Sequence, residues 1–227
     1  MARGAAAAQV ARGHPGQGER FVSALHQIMP VNQTARLNLL QLGAVVLAAG
    51  LLLGQPAWTM PTTHEAFEMA GIACVLACIF GRLWAILYVG GRKNAELVTE
   101  GPFSMTRNPL YFFSSLGTFG IGLLFGSLMA AFGLAALVIL VLHVTARREA
   151  AFLASRFADA YAAYAARTPF FWPDPRLYQA GESGTFSPRI LRKTFIDALW
   201  FLAAFPAVEA LEWAHEAALL PTLFRLY

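Results

Sequence analysis

The stretch Glu96-Leu-Val-Thr-Glu-Gly-Pro-Phe-Ser-Met-Thr-Arg-Asn-Pro-Leu-Tyr111 is polar and rich in turn formers, and long apolar runs lie on both sides of it. Gly101-Pro102 forces one turn and Asn108-Pro109 a second, with Pro109 suited to the first position of the helix that follows. Arg107, Asn108 and Tyr111 are thereby presented at a helix start, where free backbone N–H groups can receive an anionic ligand group. Spacing alone equally allows Arg107 to anchor to lipid phosphates and Tyr111 to join an interfacial aromatic belt. The flanking runs decide the fold. Of 227 residues, 57% are hydrophobic and 13% charged, with a mean hydropathy of +0.53, well above the apolar share of a soluble domain. The expectation is an all-α integral membrane bundle of about five spanning helices.

Upstream of this insert, 66–89 is apolar, with Glu65 and Glu68 at its start and Arg82 inside it. A lone Arg at such a place either snorkels to the interface or faces a polar cavity. Cys74 and Cys78, one helical turn apart, are small packing residues rather than a disulfide. A first spanning helix is expected over 37–53, capped by Asn32-Gln33-Thr34 and closed by Gly54, Gln55 and Pro56. The first twenty residues read as a disordered cytosolic lead without a cleavable signal, and 19–29 as an amphipathic helix in the membrane interface, ended by Pro30. A lead over 1–30 and one membrane domain over 31–227 follow.

Downstream, 110–125 and 128–146 are separated only by Gly126 and Ser127, the mark of a tight helical hairpin. The first leg makes about 24 Å of helix at 1.5 Å per residue, short for a bilayer core. Thr118, Gly122 and Gly126 give it a face on which another helix packs closely, which serves within the hairpin and does not argue for a dimer. Arg147, Arg148 and Glu149 end the apolar run, and a helix of different character, expected outside the membrane, follows to Arg167, with Glu149, Leu153, Phe157, Ala160, Tyr161 and Tyr164 on one stripe. Pro169, Pro173 and Pro175 stop it, and a loop runs to Arg192. The extension 195–224, broken at Pro206, is either one kinked spanning helix or two short ones. Its Glu209, Glu212, His215 and Glu216 sit at a spacing that superficially suits a metal; the plainer reading is an exposed helix end on the outer side, and a third is pairing with Arg82.

The formal charge is +4, yet the basic residues form no arm interleaved with polar aromatics, so nucleic acid is not the expected partner. They mark topology instead. With the N-terminus, the insert and the region after Ala146 on one side, all 17 Lys and Arg except Arg82 and Arg225 lie there, which makes that side cytosolic.

The run Leu97-Val98-Thr99-Glu100-Gly101-Pro102-Phe103, then Arg107-Asn108-Pro109-Leu110-Tyr111, then after a hairpin Glu149, Leu153, Phe157, Tyr161, Tyr164 and Pro173, resembles the integral membrane methyltransferases. These form the isoprenylcysteine carboxyl methyltransferase and phospholipid N-methyltransferase superfamily, and the likeness covers 96–173. The resemblance implies S-adenosylmethionine bound at the cytosolic membrane surface, with a lipophilic acceptor entering from the bilayer. It implies a cofactor pocket from Gly101, Pro102, Arg107, Asn108, Pro109, Tyr111, Glu149, Tyr161 and Tyr164, with Arg107 and Glu149 as the catalytic pair and no metal. The sequence departs from the pattern in two ways. Many members carry His at Asn108, and many carry an Arg after the double-Tyr helix, where Arg167 or Arg176 would have to substitute.

Methyl transfer asks for an in-line arrangement more than for a base, because the sulfonium is already activated. His143, the nearest histidine, is expected to be a packed helix residue. NADPH-dependent sterol and isoprenoid reductases share a similar architecture but usually continue their motif with Asn-Tyr, where this chain has Leu110-Tyr111-Phe112-Phe113. A non-enzymatic scaffold would leave the polar insert without purpose. Ala- and Arg-rich usage points to a bacterial inner membrane, and the acceptor to an amphiphile with an amine, thiol or carboxylate.

Overall fold

Apolar length, interrupted by proline and glycine, sets the order of elements. The computed structural model describes residues 45, 49–50, 52–56, 61–90, 96–181 and 187–226. The expected lead and interfacial helix, and most of the expected helix over 37–53, lie outside the described residues; 45, 49–50 and 52–53 are helical. By contacts the chain divides into Met1–Gln41 and Leu42–Tyr227, and the elements below belong to the second unit.

A three-residue strand β1 (Gly54–Pro56) precedes the long helix α1 (Pro61–Val89). The insert holds one helical turn, α2 (Pro102–Met105), and then α3 (Pro109–Leu124) begins on a proline whose missing N–H costs nothing in a first turn. The expected hairpin is present: Gly126 takes a φ of 72°, and Ser127 caps α4 (Leu128–Arg167) by accepting from the Ala130 N–H at 3.1 Å. At 40 residues, α4 is about 60 Å long, twice a hydrocarbon core, so its second half stands outside the bilayer. One non-helical residue, Ala158 (φ 39°, ψ −113°), kinks that outer half.

The extension forms two helices, α5 (Pro188–Leu202) and α6 (Ala204–Glu216). The break falls at Ala203 rather than at Pro206, because a proline is accommodated in the first turn of α6 and the disruption moves upstream of it. A strand β2 (Phe224–Leu226) then pairs in parallel with β1, a contact the sequence pattern did not announce. Among the described residues three helical stretches, α1, α4 and α5 with α6, are long and apolar enough to cross a membrane, and α3 is shorter. The protein is an all-α integral membrane bundle.

α3 packs mainly on α1 and α4. Glycines of α3 let the backbones close: Gly117 faces Cys78, which is fully buried, and Gly120 faces Cys74. Val75 and Ile79 of α1, Leu124 of α3 and Ala198 of α5 form the buried core, with Phe201 and Phe205 against it.

Candidate functional site

The insert is held in place from Gly101 to Asn108 by the chain that follows α4. Gly101 adopts φ 58°, and a Cβ there would run into the Tyr88 ring, so only glycine fits the turn. Its N–H donates to the Gln179 carbonyl at 2.7 Å, while the Gln179 N–H donates to the Ser104 hydroxyl at 2.9 Å. The Asp174 N–H reaches the Met105 carbonyl and the Arg107 N–H the Pro169 carbonyl, at 3.0 and 2.9 Å. Buried Thr106 donates to the Phe171 carbonyl at 3.0 Å, and the Asn108 side-chain amide to the Phe170 carbonyl at 2.8 Å. The residues at 101–108 and 169–179 are thus laced together by donors and acceptors that neither segment could satisfy alone.

Above this lacing lies a cavity where α1, the insert, α3 and α4 meet. α1 contributes Ile86 and Val89, and the insert Glu96, Leu97, Val98, Phe103, Arg107 and Asn108. α3 contributes Pro109, Leu110 and Tyr111, and α4 contributes Ala146, Glu149, Ala150, Leu153, Tyr161 and Tyr164. The hairpin returns the chain to the same face, and the Tyr111 hydroxyl donates to Glu149 Oε2 at 3.0 Å. Arg107 lays its guanidinium over the Phe170 ring, 5.0 Å from the centroid, and its Nε is buried with no hydrogen-bond partner. Tyr164 donates to the Phe103 carbonyl at 2.7 Å, so it turns its ring rather than its hydroxyl to the cavity. Burial pushes its phenol above the ordinary range, which keeps that proton in place at working pH.

Of the residues expected from the sequence, Arg107, Asn108, Pro109, Tyr111, Glu149, Tyr161 and Tyr164 line this cavity. Gly101 and Pro102 do not; Pro102 is fully buried and Gly101 sits against Tyr88, so they shape the wall from behind. Phe157, expected on the same stripe, does not line the cavity; the Arg156 guanidinium stands 5.9 Å from its ring centre, and the chain kinks at Ala158 before it reaches Tyr161. Arg167 and Arg176 are exposed and outside the cavity. His143 accepts a hydrogen bond from Arg147 at 3.0 Å and packs edge-on against Phe170, away from the cavity lining. Thr106, Ser104, Phe170 and Gln179 were not legible as site residues: they act through contacts over 62 to 75 positions of chain. Tyr178, beside them, shares a hydrogen bond with Tyr88 that raises its phenol.

The acidic helix end resolves differently from either sharper alternative. His215 is buried and its ring nitrogens meet the Leu211 and Leu52 carbonyls at 2.9 and 3.1 Å. Glu212 lies 4.0 Å from His64. Among the described residues no three His, Cys, Asp or Glu side chains are placed to hold a metal ion. Arg82 meets none of these carboxylates; its Nη1 donates to Ser114 across the α1–α3 interface.

A family model of phospholipid methyltransferases matches residues 67–160, which contain Arg107, Tyr111 and Glu149. The cobalt-zinc-cadmium resistance protein CzcN of Cupriavidus metallidurans is 36% identical over 178 residues, covering 78% of this chain and 82% of that protein. The chain belongs to the phospholipid methyltransferase family. A second relative of this family member, the nickel-cobalt-cadmium resistance protein NccN of Alcaligenes xylosoxydans xylosoxydans, is 35% identical over 183 residues, 81% of the chain and 85% of the relative. No solved structure matches it. The family match takes in every residue lining the cavity except Tyr161 and Tyr164, which lie just beyond its end.

Proposed function

We propose that this protein transfers a methyl group from S-adenosylmethionine to a lipophilic acceptor at the cytosolic surface of a bacterial inner membrane. The observation that carries the reading is the cavity itself, which combines Arg107, whose buried Nε has no partner, with the Tyr111–Glu149 pair on apolar walls. A zwitterionic amino-acid end fits that combination: Arg107 takes the carboxylate by charge-assisted hydrogen bonds, and Glu149 takes the ammonium. Tyr111 donates to Glu149 and thereby holds the carboxylate in one orientation. The rings of Tyr161 and Tyr164, 6.1 Å apart, offer aromatic faces to a sulfonium or a base.

When bound, the cofactor supplies an activated methyl group. The chain's own part is orientation and exclusion of water. Ile86, Val89, Leu97, Val98 and Leu110 make an apolar wall toward the helices that cross the bilayer, which suits an acceptor arriving from lipid with its reactive end at the cavity. A carboxylate or thiolate acceptor needs no base, whereas an ammonium must lose a proton at some stage. Family membership supports methyl transfer over a reductase that uses NADPH. The relatives are named for resistance to cobalt, zinc and cadmium and to nickel, cobalt and cadmium, and we place this protein in the same setting, acting on membrane amphiphiles.

Calorimetric titration of the purified chain with S-adenosylmethionine, S-adenosylhomocysteine and NADPH tests this. Binding of the adenosyl ligands and entry of labelled methyl into chloroform-extractable material are expected. Binding of NADPH alone would sink the proposal.

A further inference from the structure

Phe170, on the loop after α4, is half-buried and does not line the cavity, yet two neighbouring residues of the insert are tied to it. The Arg107 guanidinium stands over its ring, 5.0 Å from the centroid. The Asn108 amide donates to its carbonyl at 2.8 Å. One step back in the chain, the Pro169 carbonyl accepts the Arg107 backbone N–H at 2.9 Å. From α4, the His143 imidazole meets the Phe170 ring in a T-shaped contact, with centroids 5.0 Å apart and planes at 70°. That imidazole is oriented in turn, because its Nε2 accepts from Arg147 Nε at 3.0 Å.

That the neighbour of Arg107 is a ring bears on what Arg107 can do. A carboxylate beside a guanidinium takes the N–H donors along its edge, the same donors that a ligand carboxylate needs. An aromatic ring attracts the cation through its π face and leaves those donors free. Arg107 Nε is buried without a hydrogen-bond partner, so one such donor is unspent. A long side chain must also be ordered before it can meet a ligand at one place, and Phe170 supplies that order from behind the wall, with His143 against it. We propose that Phe170 is the positioning residue for Arg107, keeping the guanidinium where it meets the carboxylate of the cofactor's amino-acid end. This rests on the methyl-transfer reading for the ligand, and adds to it a residue that touches neither cofactor nor acceptor. The consequence is selective: the ring matters to a ligand that carries a carboxylate and is indifferent to one that lacks it.

The test is calorimetric titration of the full chain in a nonionic detergent with S-adenosylhomocysteine and with methylthioadenosine, which has the same nucleoside and sulfur but neither carboxylate nor ammonium. Phe170→Leu should weaken S-adenosylhomocysteine about fivefold and leave methylthioadenosine unchanged. Phe170→Tyr, which keeps a ring, should match the unmodified protein with both ligands. Equal weakening of the two ligands, which is what a packing role predicts, overturns the proposal. So does an unchanged affinity for S-adenosylhomocysteine in Phe170→Leu, or the same loss in Phe170→Tyr. Should Phe170→Leu fail to fold, a ring-fluorinated phenylalanine at Phe170 decides, since it keeps the shape and weakens the π face; full affinity for S-adenosylhomocysteine there overturns the proposal. A second readout needs no ligand. The ring current of Phe170 displaces the NMR resonance of the Arg107 Nε–H, identified by its absence in Arg107→Lys, and Phe170→Leu should move that resonance. An unmoved resonance overturns the positioning alone, whereas a moved one in a protein that binds no adenosyl ligand upholds the positioning and defeats the methyl-transfer reading.

Discussion

Arg107 and Glu149 illustrate how a residue's worth depends on what it is denied. Arg107 stacks on Phe170 and keeps its Nε buried and unpartnered, so a ligand carboxylate there replaces nothing. Arg107→Ala and Glu149→Ala should each weaken S-adenosylhomocysteine about tenfold or more, the equivalent of one charge-assisted hydrogen bond. Calorimetry reads the loss, and an unchanged circular dichroism spectrum shows that the helices remain. Gly101 makes the opposite point, since its side chain is what the fold forbids. Gly101→Ala combines a left-handed φ with a collision on Tyr88, and should cost about 1–3 kcal/mol of stability. A fall in the thermal midpoint in detergent, with adenosyl binding weakened less than by Glu149→Ala, would show that the residue shapes the wall rather than touching ligand.

At the level of elements, the pairing of 101–108 with 169–179 is what turns a polar loop into a wall. Asn108 contributes through its amide to the Phe170 carbonyl, and removing it leaves that carbonyl without its donor. Asn108→Ala should raise deuterium uptake across 169–174 several-fold, with α1 and the first half of α4 unchanged; uptake equal to the parent protein would contradict the role. These elements also show where sequence legibility stops. The hairpin at Gly126 and Ser127 and the short α3 were readable, because proline, glycine and apolar run length act locally; the two helices expected on either side of Arg147-Arg148-Glu149 are instead one continuous α4, since a change from apolar to charged residues does not itself break a helix. The joining of Tyr111 to Glu149 followed from that hairpin. The lacing of Thr106, Ser104 and Asn108 to backbone carbonyls beyond α4 was not readable, since a carbonyl carries no residue signature. The kink at Ala158 was missed for a related reason: alanine is a strong helix former, and no local feature marks a break there. The β1–β2 ladder escaped too, being three residues long on each side.

For the whole molecule, charge asymmetry predicts one orientation. In a Cys74→Ala/Cys78→Ala background, Arg148→Cys should react with a membrane-impermeant thiol reagent only from the cytosolic face, and Glu216→Cys only from the opposite face. The two labelled from exchanged faces would reverse the arrangement of the site, and both labelled from one side would contradict it. The bundle's helices differ in length by more than twofold, 16 residues in α3 against 40 in α4. α4 crosses any bilayer and rises beyond it, but α3 supplies about 24 Å against a hydrocarbon core of about 30 Å. Lipid beside the hairpin must thin or the hairpin must sink, at a cost of fractions of a kcal/mol per ångström. The cavity is built on the first turn of α3, so its height above the acyl region is tied to that mismatch. If the proposed methyl transfer holds, turnover in vesicles of graded acyl length should therefore peak at shorter chains and fall as the bilayer thickens, which would make the site a gauge of membrane thickness.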